Sequence, residues 1–255
     1  MREHWRAVAA DTMEILSRGW YDSPSGARVA VAGALREVVV HRPGDRLRPS
    51  EKGGETTIEV VERSTLEAAR RMRAPVVLNF ASARSPGGGF LKGAQAQEES
   101  LARASSLYLS LREARAFYDA HPRGTSLLYT DVVAYSPDVR VFKDDEGRPL
   151  AEPYRMAVIT SAAPNTRKLT GRELARVPQT LAGRGRRVLE VAAAYGHEEL
   201  VLGAWGCGVF GNDPRVVAAC FGELLAGEFG GVFRRVVFAV LGRGTFEVFE
   251  DTLAT

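Results

Sequence analysis

Two neighbouring carboxylates, Glu98 and Glu99, follow three consecutive glycines, Gly87, Gly88 and Gly89, with seven residues between the glycine run and Gln97. Residues without a Cβ let a ligand approach the backbone and permit positive φ, so successive N–H groups can converge on an anion. A second loop of this kind, Gly206-Cys207-Gly208-Val209-Phe210-Gly211-Asn212, occurs late in the chain. Together the loops suit a diphosphate-sized ligand. Acids in a first helical turn gain about 0.3–1 kcal/mol from the helix dipole. What distinguishes Glu98 and Glu99 is the short connection to a glycine run, which brings carboxylates close to whatever the loop holds. Neighbours on a helix point about 100° apart, so the two acids can take different roles.

Other chemistries lack their residues. The first loop is not GxxxxGK[ST]. The second has the spacing GxGxxG but no acidic residue at a strand end about 20 residues on. His4, His41, His121 and His197 are scattered and read as surface or capping residues, so no metal site is expected, and no cofactor. No GxSxG elbow occurs. Cys207 and Cys220 stand apart without CxxC and read as two reduced, partly buried thiols.

The elements that must position these groups can be read in order. Trp5, Val8, Ala9, Thr12, Met13, Ile15 and Leu16 recur at helical spacing and stop before Gly19. β-rich pieces follow at 28–40 and 56–61, separated by an exposed loop over 42–55. Ser64 and Glu67 form a capping-box pattern opening a helix to about Met72. PVVLNF, Pro75 to Phe80, reads as a buried strand, a loop fills 81–96, and Leu101, Ala104, Ser105, Tyr108 and Leu111 predict one helix from about Glu98. SLLYTDVVAYSP, VRVF and YRMAVITSA predict three strands. A helix over about 176–195, a strand from Leu200 to Trp205, a helix opened by Asp213-Pro214 and a strand over 234–241 complete the pattern. One mixed α/β/α domain with helices on both faces of the sheet accounts for this order.

Composition agrees. The 255 residues carry 34 Lys+Arg against 31 Asp+Glu, with 45% hydrophobic and 25% charged, the balance of an ordinary globular chain. A net charge of +3 is too small for a DNA-binding surface. The basic run Arg184 to Arg187 reads as a solvated helix end. No apolar window is long enough to span a membrane and the N-terminus lacks a signal-peptide pattern, so a cytoplasmic protein is expected.

The run GGGFLKGAQAQEE, a GGG-x7-QEE, resembles the signature of poly(ADP-ribose) glycohydrolases, in particular the shorter bacterial and fungal branch with a macrodomain core. NFASARSPGGGF, YSPDVRVFKDDEG, ITSAAPN and LGAWGCGVFGNDP are similar to that branch in the same order, so the resemblance covers most of residues 1–250. It implies a three-layer α/β/α macrodomain with a central mixed sheet over 1–255, residues 1–55 being an N-terminal helical extension packed on the core. The implied activity is hydrolysis of ribose–ribose O-glycosidic bonds of poly(ADP-ribose), exo-acting, releasing ADP-ribose.

By the resemblance, Glu99 is the catalytic acid and then base, Glu98 holds ribose hydroxyls and Gln97 helps fix the acids. Gly87, Gly88 and Gly89 approach the diphosphate and distal ribose. Gly206, Cys207, Gly208, Val209, Phe210 and Gly211 wrap the diphosphate from the other side, with Phe210 against the distal ribose. Asn79 and Ser82 stand where relatives place polar contacts to that ribose, although the loop after Phe80-Ala81 is not the common FAN form. Phe246 stands where macrodomains carry an aromatic near adenine. An acid role for Glu99 requires a raised pKa, for which the charges of Glu98 and of the substrate diphosphate are candidate causes. Partners implied are poly(ADP-ribose), ADP-ribose and ADP-ribosylated carrier proteins, with no DNA, no membrane and a monomeric state. A macrodomain that reads ADP-ribose without cleaving it, and a hydrolase of mono-ADP-ribosyl linkages, are the alternatives; a reader has no need of the QEE acids.

Overall fold

A computed structural model describes residues 1–31, 37–47 and 53–254. The expected β-rich piece at 28–40 and loop at 42–55 therefore lie partly outside the described residues. The chain runs α1 (Arg2–Arg18), β1 (Trp20–Asp22), β2 (Arg28–Ala30), β3 (Val39–His41), β4 (Thr57–Val61), α2 (Thr65–Arg70) and β5 (Val76–Phe80). It continues through α3 (Gln97–Ala104), α4 (Leu107–Glu113), α5 (Arg115–Asp119), β6 (Val133–Lys143), β7 (Pro149–Ser161), α6 (Gly171–Ala175) and α7 (Val177–Ala194). β8 (Glu199–Gly203), α8 (Pro214–Ala226), β9 (Arg235–Ala239) and α9 (Arg243–Leu253) end it.

β1 and β2 pair by themselves, and the other strands form a mixed sheet in the order β3-β6-β7-β5-β8-β9-β4. β7, β5, β8, β9 and β4 are parallel, while β6 pairs antiparallel to both β7 and β3. The central strands are apolar on both faces because both are covered. Val76, Leu78, Leu200, Leu202, Val236 and Phe238 face the α7–α8–α9 side. Val77, Val201 and Val237 face the α2–α3–α4 side. Each such side chain contributes about 1.5–3 kcal/mol on burial, which is what holds short five-residue strands in the middle of the sheet.

After β5 the chain turns toward β6 and β7 on one side of the sheet, and after β8 it turns toward β9 on the other. β5 and β8 are neighbours, so the direction of winding reverses between them and a crevice opens beyond their carboxyl ends. Both glycine-rich loops start there.

Several elements differ from the sequence reading. The single helix expected from Glu98 is two, because Ser105 is extended (φ −146°) and bridges Val141 while Ser106 N–H donates to Arg140 O; of its stripe, Leu101, Ala104, Ser105 and Leu111 are buried and Tyr108 is half-buried. YSP and VRVF are one strand, β6, with a register shift between Ser136 and Val139 where Pro137 has no N–H to give the ladder. The segment 126–132 is not a strand, and α9 was not anticipated. Arg184 and Arg187 are not solvated: Arg184 is buried, with Nε donating to Asp131 Oδ1 (3.0 Å) and a terminal nitrogen donating to Ala162 O (2.7 Å). His41 and His121 are buried rather than superficial.

α1 lies against the segment that joins the first glycine loop to α3. Arg2 Nε donates to Lys92 O (3.2 Å), and a Cβ at Gly93 would stand 2.3 Å from Arg2 O. At its middle, the buried Lys143 amine reaches Asp11 Oδ2 (2.6 Å), Thr12 Oγ1 (2.8 Å) and Val8 O (3.1 Å), using all three donors.

Candidate active site

β5 delivers the chain at Phe80 to the first loop, and α3 returns it. Gln97 ties the two together: its Oε1 accepts from Phe80 N (2.9 Å), and its Nε2 donates to Leu78 O (2.8 Å) and Thr65 Oγ1 (3.1 Å). This one side chain satisfies backbone groups at the end of β5 and fixes where the acids begin.

Glu98 points inward and is only 3% exposed. Its Oε2 accepts from Ser82 N (2.7 Å), and its Oε1 is 3.4 Å from Asn79 Nδ2. Burial, with a lesser push from the charge of Glu99, raises its carboxyl to about 8 against the hydrogen bond from Ser82. Glu98 is therefore largely protonated at neutral pH. The buried Oδ1 of Asn79 lacks a partner, and turning that amide would let a protonated Glu98 donate to it. The sequence reading used a Glu98 charge to push up Glu99; burial that favours the neutral form of Glu98 weakens that influence.

Glu99 points to the cleft, its Oε1 accepting from Gly89 N (2.9 Å). Gly88, at φ 59°, lies so near that a Cβ would stand 2.3 Å from Glu99 Oε1 and 3.1 Å from Glu98 Oε2. Only glycine fits between the acids and the loop.

The second loop leaves β8 at Gly203. Asn212 Nδ2 donates to Gly206 O (3.1 Å) and Pro164 O (2.7 Å), Arg167 Nε donates to Val209 O (2.7 Å), and Thr166 Oγ1 donates to Phe210 O (2.8 Å). The loop is thus braced by the segment after β7. A Cβ at Gly206 would collide with Ala163 and Asn212, whereas at Gly208 it would meet nothing within 4 Å. Gly208 leaves its open side to the cleft.

The cleft between the loops measures about 990 Å³, and Ser82, Gly88, Gly89, Gln97, Glu98, Glu99 and Gly206 to Phe210 line it. Gly87 and Gly211 shape the loops from behind, at φ 67° and 73°. Asn79 is fully buried beneath Glu98. Phe246 is not on the wall: it packs against the core with Arg243 over its ring, and Leu241 and Thr245 take the cleft at that end of β9. Ser64 and Asp145 also line it, joined by a 2.6 Å hydrogen bond. No spacing pattern links Asp145 to Ser64, 81 residues away, so the pair carries no signal in the sequence. Among the described residues no group of His, Cys, Asp and Glu could hold a metal, and no helix is long and apolar enough to cross a membrane.

A mixed sheet between helical layers, with its ligand cleft at the winding reversal and two glycine loops facing across it, defines the macrodomain class. Within that class the chain belongs to the microbial-type poly(ADP-ribose) glycohydrolases, and it is a glycosidase that hydrolyses poly(ADP-ribose). The family described as "Microbial-type PARG, catalytic domain" matches residues 9–144. The poly(ADP-ribose) glycohydrolase of Thermomonospora curvata is 48% identical, covering 98% of this chain and 100% of that one with a TM-score of 0.92. Its complex with the inhibitor ADP-HPD is 47% identical, covering 98% and 99%, with a TM-score of 0.89. The enzyme of Deinococcus radiodurans in complex with ADP-ribose is 45% identical, covering 83% and 95%, with a TM-score of 0.75. No curated protein sequence matches the chain.

Proposed function

We propose that the enzyme works from chain ends, releasing ADP-ribose, with Glu99 as acid and then base. The observation that carries this reading is the contact of Gly88 and Gly89 with Glu99 on the wall of the inter-loop cleft, which puts a carboxylate beside the place a diphosphate would occupy. The diphosphate lies between backbone N–H groups of the two loops, the distal ribose against Phe210, and its hydroxyls on Glu98. Glu98 suits that contact because a neutral carboxyl both donates and accepts. The base end lies toward Leu241 and Thr245.

Glu99 gives a proton to the leaving ribose oxygen as the C1–O bond of the distal ribose breaks, and positive charge grows on that ribose. The substrate's own diphosphate faces this charge. Water then enters at C1, and Glu99 takes back one proton, so that the carboxyl is restored.

Around this site we propose one domain over 1–255, with 1–55 as an extension that lends β3 to the edge of the sheet, acting as a monomer in the cytoplasm on polymer carried by modified proteins. The anchoring of α1 by Lys143 and the two free thiols support it.

The test pairs ADP-ribose release from poly(ADP-ribose) with calorimetry of ADP-ribose on wild type and Glu99→Gln. The expected variant binds ADP-ribose normally and loses activity by about 10²–10⁴-fold. A variant that keeps activity removes Glu99 from the reaction. A wild type that binds without cleaving is a reader.

A further inference from the structure

Among the described residues, one non-glycine position has positive φ: Tyr129, at 60°. A bulky side chain in that region persists only where its surroundings hold it, and such positions gather at functional sites. The surroundings of Tyr129 are specific. Its ring stands edge-on to His121 at 5.6 Å between centroids, and His121 is buried and fixed by Phe117 O (2.8 Å) and Thr130 Oγ1 (3.0 Å). On another side the half-buried ring tilts against Phe210, itself a cleft-lining residue, at 6.0 Å. The guanidinium of Arg84, from the first loop, sits 5.8 Å from the Tyr129 centroid. Arg84 is exposed and makes no ion pair among the described residues. A strained aromatic and a cation without an ion pair, from separate segments, thus meet beside Phe210, a residue of the cleft wall.

We propose that Tyr129 and Arg84 form a subsite for the leaving part of the polymer, the unit next to the one being released. The inference rests on the placement of the distal ribose against Phe210. The bond to be broken joins that ribose to the next unit, so the next unit leaves past Phe210, over Tyr129. That unit is a purine nucleotide with a diphosphate. A purine face stacks on a tyrosine ring whatever its sequence neighbours, and a free guanidinium pairs with phosphate. Both residue types are therefore matched to one ligand. The enforced backbone at Tyr129 keeps the ring in line with Phe210 instead of folding it back into the loop.

The experiment compares two substrates on wild type, Arg84→Ala and Tyr129→Asn; Asn accepts positive φ, so the backbone keeps its course while the ring is lost. One substrate is poly(ADP-ribose), and the other an ADP-ribosyl aryl glycoside, which has the scissile bond but no second nucleotide. Each variant is expected to raise KM for polymer about five- to tenfold, the equivalent of one stacked base or one phosphate contact, with kcat/KM for the glycoside and the affinity for ADP-ribose within about twofold of wild type. The salt dependence of KM for polymer also becomes shallower in Arg84→Ala. Equal losses on both substrates would show that Tyr129 merely props Phe210, and unchanged KM for polymer would remove the subsite; either overturns the proposal. A wild type inactive on both substrates would overturn the hydrolytic reading itself.

Discussion

Glu98 and Glu99 differ by one position and live in different environments. One faces the interior under Ser82 and Asn79, the other the cleft beside Gly89. Burying a carboxyl favours its neutral form, and this has a thermodynamic signature. A group whose folded pKa lies above its unfolded value holds more protons in the folded state, so stability falls as pH rises between the two values. For Glu98 that window runs from 4.5 to about 8. Glu98→Gln is expected to flatten the stability curve across this window, so that its urea midpoint gains on wild type as pH increases from 5 to 8. A parallel offset between the two curves would mean that Glu98 is ionised in the folded protein throughout. The same variant is expected to keep part of its activity, because an amide still contacts ribose hydroxyls; a rate as low as that of Glu99→Gln would argue against charge stabilisation by the substrate's diphosphate alone.

The elements act as mounts for these residues, and Gln97 is the bolt between β5 and α3. Gln97→Ala leaves the N–H of Phe80 and the O of Leu78 without their partner and frees the first turn of α3 to shift against the glycine loop. A displacement of about 1 Å can cost about 10² in rate, so kcat is expected to drop by about 10–100-fold, with ADP-ribose affinity reduced far less. Steady-state kinetics beside calorimetry separate the two. Elements defined by local pattern were legible before the structure: the Ser64–Glu67 capping box forms with both of its hydrogen bonds, and Asp213 caps α8 through Arg215 N. Both glycine loops and the acids between them were legible for the same reason, since their chemistry is written in contiguous residues. What escaped notice depends on distant partners. The break at Ser105 exists because β6 offers Val141 and Arg140 to pair with, and the run at Arg184 looks solvated until Asp131 and Ala162 arrive to satisfy it. Phe246 packs against the core because it lies on α9, a helix the sequence pattern did not reveal.

At the scale of the whole molecule, the catalytic loop is held from behind. α1 touches Lys92 and Gly93 at its N-terminal end and Lys143 at its middle, while the Arg103 guanidinium in α3 lies 4.5 Å from the Trp5 ring and donates to Ala94 O (2.5 Å). The N-terminal helix is thus part of the mounting of the acids and no passive appendage. Lys143→Met preserves the packed stem but removes the ammonium from three acceptors. Asp11 is half exposed and rehydrates, which limits the loss to about 1–3 kcal/mol of stability. Hydrogen exchange is expected to quicken first in α1 and then in 90–93, with activity falling alongside. Unchanged exchange in 90–93 would disconnect the helix from the loop.

Cys207 lends the enzyme a chemical gauge of its own state. Burial pushes its thiol up to about 12, as it does that of Cys220, so neither reacts readily with alkylating agents at neutral pH. Cys207, however, lines the cleft, whereas Cys220 is packed between α8 and α7. A maleimide therefore has one position to report loop opening and another to report global unfolding, without any introduced label. A bound ligand that closes the cleft slows only the first, and the ratio of the two labelling rates tracks occupancy in a single mass spectrum.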